Sequence, residues 1–60
     1  MMRAIMIDFE VMKDGEVVET GATTIFGGAT HADLLISALE NLQKKFSDCN
    51  VYARSVAELN

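Results

Sequence analysis

Residues 2–12 alternate strictly between two kinds of position. Ile5, Ile7, Phe9 and Val11 fall on one parity; Met2, Ala4, Met6, Asp8, Glu10 and Met12 fall on the other. A period of two sends successive side chains to opposite faces of a pleated strand, so the run predicts a strand with one fully apolar face. Lys13-Asp14-Gly15-Glu16 follows. Asp-Gly between two alternating runs marks a tight hairpin, because a type I′ turn needs positive φ at both central residues. Residues 17–26, rich in β-branched side chains, predict the second strand.

A two-residue loop at Asp14-Gly15 sets Lys13 against Glu16, Val11 against Val18, Phe9 against Thr20, Ile7 against Ala22 and Ile5 against Thr24. The inner face is then Ile5, Ile7, Phe9, Val11, Val18, Ala22 and Phe26. The outer face holds Ala4, Met6, Met12, Val17 and Ile25 with Asp8, Glu10, Glu19 and Thr23. This register opposes Glu10 and Glu19, a like-charge pair that a one-residue bulge would relieve.

Gly27-Gly28 breaks the strand, and Thr30 with Asp33 three residues on forms a capping-box-like helix start. From His31 to Phe46, apolar residues recur at helical spacing. Leu35, Ala38, Leu39, Leu42 and Phe46 make the expected buried stripe, with Leu34 and Ile36 on its flanks. Lys44 and Lys45 suit the negative end of the helix dipole. Residues 50–57 alternate again and predict a third strand; Ser55-x-x-Glu58, itself a capping box, makes a short helix the competing reading. The expected fold class is α+β: β-β-α-β in one small domain over residues 1–60, a mainly antiparallel three-stranded sheet with one helix on one face.

Composition narrows the function. The chain has 60 residues, half of them apolar, with five basic and nine acidic residues and a net charge of −4. That balance opposes non-specific nucleic-acid binding, which needs a basic footprint. No apolar run approaches the ~20 residues of a membrane helix. The start of the chain lacks the pattern of a signal peptide, and the expected compartment is the cytoplasm. Cys49 is the single cysteine and His31 the single histidine, too few for a structural zinc site, so no cofactor is expected. A chain this short buries only about 60% of its unfolded surface, and without disulfide or metal the remaining compensation is oligomerisation.

The chemistry-bearing residues are few. Asp8 and Glu10 share a face of the first strand, with Glu19 expected opposite. Clustered carboxylates are what Mg²⁺- or Mn²⁺-dependent nucleases use. The run Ile5-Met6-Ile7-Asp8-Phe9-Glu10 followed by Thr20-Gly21-Ala22 resembles the opening of DEDD-type exonucleases, where a strand carries an Asp-x-Glu pair and the next often reads Ile-Gly-Ala. The stretch from Ala32 to Tyr52 is similar to the helix and following strand of ribonuclease H-like domains, which sets Asp33 near that family's helix carboxylate. The resemblance implies a metal-dependent nuclease remnant on Asp8, Glu10, Glu19 and Asp33. It departs from the family at Val11, where a threonine is usual, and two carboxylates and the general base have no counterpart. The β-β-α-β shape is also similar to HicB-type antitoxins, though only Gly27-Gly28 stands where those carry a glycine and proline pattern. Phage-encoded inhibitors of host enzymes share the size, acidity and shape.

His31 and Cys49 read as a surface histidine and a small apolar filler, since the helix length separates them by about 25 Å. Met1, Met2, Met6 and Met12 offer an adaptable apolar surface. One helix covers one sheet face, and the other face is too apolar to be left wholly to water. The expected function is therefore a non-enzymatic binding or regulatory protein. It would act by protein–protein contact through the outer face and a strand edge, as a homodimer or with an unidentified protein, and not with nucleic acid or membrane. The candidate contact residues are Met6, Asp8, Glu10, Met12, Val17 and Glu19. An acidic inhibitor of a nucleic-acid-handling enzyme is the alternative, and the nuclease remnant the second.

Overall fold

The computed structural model describes residues 2–59, so Met1 lies outside the described residues. The elements are β1 (Arg3–Lys13), β2 (Glu16–Gly27), α1 (His31–Lys45) and β3 (Asn50–Glu58). The sheet order is β2-β1-β3, and both neighbours run antiparallel to β1. The expected β-β-α-β fold with one helix on one face is what the chain adopts. Residues 50–58 form a strand because the second edge of β1 would otherwise carry unpaired backbone groups; pairing with β3 satisfies them.

The hairpin turns at Asp14 (φ 52°) and Gly15 (φ 79°), the two positive angles a type I′ turn demands. Lys13 faces Glu16 and Met12 faces Val17, but the register then shifts between Val11 and Met12. Val18 is the extra residue. Beyond the bulge, Val11 pairs with Glu19, Glu10 with Thr20, Phe9 with Gly21, Ile7 with Thr23 and Ile5 with Ile25. The bulge separates Glu10 from Glu19, and it corrects the expected faces. Ala22 and Phe26 leave the inner face and Glu19, Gly21, Thr23 and Ile25 join it, because paired residues share a side of the sheet, while Val18 becomes the exposed, unpaired bulge residue. Gly21 is needed there: the Phe9 ring lies across it, and a Cβ at Gly21 would sit 2.8 Å from Phe9 Cζ.

The core is one row of β1. Ile5, Ile7 and Val11 are fully buried and Phe9 nearly so; Leu34 and Ala38 of α1 cover them. Each buried Ile of this kind contributes on the order of 2 kcal/mol. Ile25, Leu35, Leu42, Phe46, Cys49 and Val51 pack at the margins. The helix is thus rotated from the expected stripe: Leu34 is central, Ile36 is exposed and Leu39 lies outside this cluster. Thr30 caps α1 as expected, its Oγ1 accepting from the Asp33 amide at 3.2 Å. Phe46 follows the last turn and stacks obliquely on Phe9, with centroids 6.4 Å apart.

Polar contacts pin the helix at both ends. At its C-terminal end, Gln43 Nε2 donates to the Cys49 carbonyl (2.6 Å) and the Phe46 carbonyl (3.3 Å), while its Oε1 accepts from the Val51 amide (3.2 Å). That one side chain closes the α1–β3 turn and starts β3. Lys13 Nζ lies 3.1 Å from Asp48 and ties the same turn to the hairpin end. At the N-terminal end, His31 Nδ1 lies 3.0 Å from Glu58 Oε1. His31 is therefore a partly buried clasp between α1 and β3, not the expected surface side chain.

Three substitutions test this packing. Val11→Ala should cost about 2 kcal/mol or more in urea unfolding. Val18→Ala, at the exposed bulge, should change stability by less than about 0.5 kcal/mol; equal costs would restore the unbulged register. Gln43→Ala should lose about 1–3 kcal/mol and expose the Val51 amide to fast hydrogen exchange. An unchanged Val51 exchange rate would show that the turn closes without Gln43.

Candidate functional site

The uncovered face of the sheet is built in rows across the three strands. Thr24, Met6 and Ala57 form one row; Ala22, Asp8 and Ser55 the next; then Thr20, Glu10 and Tyr52; and Val17, Met12 and Asn50 nearest the hairpin. Alternation along β1 produces this face as the necessary complement of the buried row. Phe26, paired with Ala4, extends it at the other end. Met6, Val17, Phe26 and Tyr52 are exposed, Phe26 to 65%.

A second bulge shapes the centre. The β1–β3 register shifts between Asp8 and Phe9, so Arg54 is the extra residue between Ser55 and Ala53. A bulge re-aims its side chain, and the Arg54 guanidinium lies 3.8 Å from Glu10 Oε2. Ser55 Oγ donates to Asp8 Oδ2 at 2.8 Å. The small side chains of Ala22 and Ser55 beside Asp8 leave an open hollow of about 520 Å³, walled also by Thr20 and Arg54.

Five of the six expected contact residues, Met6, Asp8, Glu10, Met12 and Val17, share this face. Glu19 does not: the bulge at Val18 puts it beside Val11 on the helix side. Asp33, in the first turn of α1, is also across the sheet from Asp8 and Glu10. Among the described residues no three His, Cys, Asp or Glu side chains converge as a metal site would require. Phe26, Tyr52, Arg54 and Ser55 belong to the surface but escaped the sequence reading. The Glu10–Glu19 clash was the one readable sign that the register was displaced.

Three titratable groups interact at the turn between α1 and β3. Partial burial pushes the Cys49 thiol up, and the Asp48 carboxylate beside it adds to the effect, so the thiol stays protonated at neutral pH. The hydrogen bond from Lys13 holds the Asp48 carboxyl below its ordinary range, and the same contact raises Lys13. No helix among the described residues is long and apolar enough to cross a membrane. No protein-family model, curated protein or solved structure matches the chain.

The Lys13–Asp48 pair carries a pH signature. A carboxyl lowered on folding contributes stability above its unfolded value of 3.8 and loses it as pH falls through the folded value. Lys13, raised on folding, contributes below 10.5 and loses that contribution as pH rises through its higher folded value. Asp48→Asn should therefore flatten the acid limb of the thermal midpoint against pH. An acid limb identical to wild type would show the pair is not formed in solution.

Proposed function

We propose that this protein is a non-enzymatic binding protein that works by protein–protein contact, through its outer sheet face and an open strand edge, as a homodimer. The observation that carries the reading is the uncovered face itself. One helix shields one side of a three-stranded sheet, and the other side presents Met6, Val17, Phe26 and Tyr52 with nothing from the described chain over them. An antiparallel sheet face destined for water carries mostly polar side chains, and this one is about half apolar, with exposed Met6 and Phe26 at one end and Val17 and Tyr52 toward the other.

The size of the core points the same way. Seven buried apolar residues among those described, five of them in β1, leave a small single-chain core. Association is the ordinary supplement for a domain this small. A two-fold pair of identical chains is the commonest form it takes. The acidic pair contributes less to the reading, because Ser55 and Arg54 already engage Asp8 and Glu10 within the chain. Sedimentation equilibrium over micromolar to millimolar concentrations should return twice the chain mass. A monomer throughout that range overturns the homodimer reading.

A further inference from the structure

The two edges of the sheet are not equivalent. The β3 edge is interrupted at its middle by the Arg54 bulge and carries the charges of Arg54 and Glu58. Bulges and charges are how open edges avoid pairing with other strands. On β2, the bulge at Val18 and the charges of Glu16 and Glu19 all lie at the hairpin end. From Thr20 to Gly27 the strand has no charge, no proline and no register shift. That is eight residues of regular open ladder, roughly 25 Å long. The helix leaves this side thinly covered: a groove of about 300 Å³ runs between α1 and β2, walled by Thr23 and Ile25 from the strand and by Ala38, Asn41, Leu42 and Lys45 from the helix.

Given the homodimer reading, charge narrows where two copies can meet. Each chain carries −4, so two copies repel unless they meet where neither is charged. Thr20–Gly27 meets that condition. Antiparallel pairing of this segment with itself about Thr24 sets Thr23 against Ile25 and Ala22 against Phe26, and opposes only neutral residues. It places Glu16 and Glu19 at the outer ends, against the other copy's chain around Gly27–Ala32 rather than against each other.

We infer that a second copy of this chain pairs along the Thr20–Gly27 edge of β2, forming a two-fold, six-stranded antiparallel sheet. Paired residues keep their side of the sheet. Both helices therefore lie on one side, and the two outer faces merge into one surface twice as wide. Thr23 and Ile25 of each copy extend the floor of the other's groove. This rests on the homodimer reading and specifies its contact.

The test uses Thr24, an exposed residue at the centre of the edge. Sedimentation equilibrium is run on wild type, Thr24→Lys, Thr24→Glu, an equimolar mixture of the two, and Tyr52→Lys on the far side of the outer face, with far-ultraviolet circular dichroism to check folding. Wild type and Tyr52→Lys should be dimers. Each Thr24 variant alone should dimerise roughly tenfold more weakly or worse, because like charges meet across the axis, and the mixture should recover the dimer. Thr24 variants that dimerise like wild type overturn the edge contact while leaving the homodimer reading intact; if Tyr52→Lys dissociates instead, the outer face is the contact. Assemblies larger than a dimer overturn the two-fold arrangement, and a monomeric wild type overturns both.

Discussion

Everything in this small structure depends on one row of side chains. Ile5, Ile7, Phe9 and Val11 of the central strand are the floor of the core, and no other element supplies more than two fully shielded residues. The helix covers that row with Leu34 and Ala38, and the flanking strands close its sides. A core so narrow tolerates little displacement, because sliding β1 by one residue would turn the whole apolar row to solvent.

The two bulges are understandable against that constraint. Both flanking strands must pair with β1 without moving its buried row, and each absorbs one residue to do so. In β2 the extra residue is Val18, and its insertion carries Glu19 away from Glu10. In β3 it is Arg54, which brings a guanidinium to Glu10 on the outer face. A bulge thus separates one like-charge pair, and another supplies a counter-charge to the same carboxylate. The outer face takes its polarity from these local adjustments more than from the composition of β1.

The same economy accounts for what is left uncovered. A single helix, clasped to β3 through His31–Glu58 and Gln43, shields the β1 and β3 side well and the β2 side less. The outer sheet face and the β2 edge are where the chain has no further material to offer. The β2 edge from Thr20 to Gly27 is regular and uncharged, and the outer face is mixed in polarity but uncovered, conditions under which strands and sheets find partners.

The alternation of β1, the Asp14-Gly15 turn, the Thr30 cap and the renewed alternation after Asn50 were enough to give the element order and the fold class, because each is a local pattern with a local cause. That Met6, Asp8, Glu10, Met12 and Val17 share one face was legible for the same reason: parity along β1 fixes its two faces, and the paired ends of the hairpin fix Met12 against Val17. What the sequence could not decide was the pairing beyond Val17. Whether a bulge forms depends on the sum of cross-strand contacts and on the fit of Phe9 over Gly21, which only the assembled sheet determines. That choice moved Glu19 and Phe26 across the sheet, left Val18 unpaired and, on the other flank, aimed Arg54 at Glu10. The rotation of α1 toward Leu34 was likewise decided in three dimensions, since a broad apolar arc can seat in several ways and the row beneath it selects one.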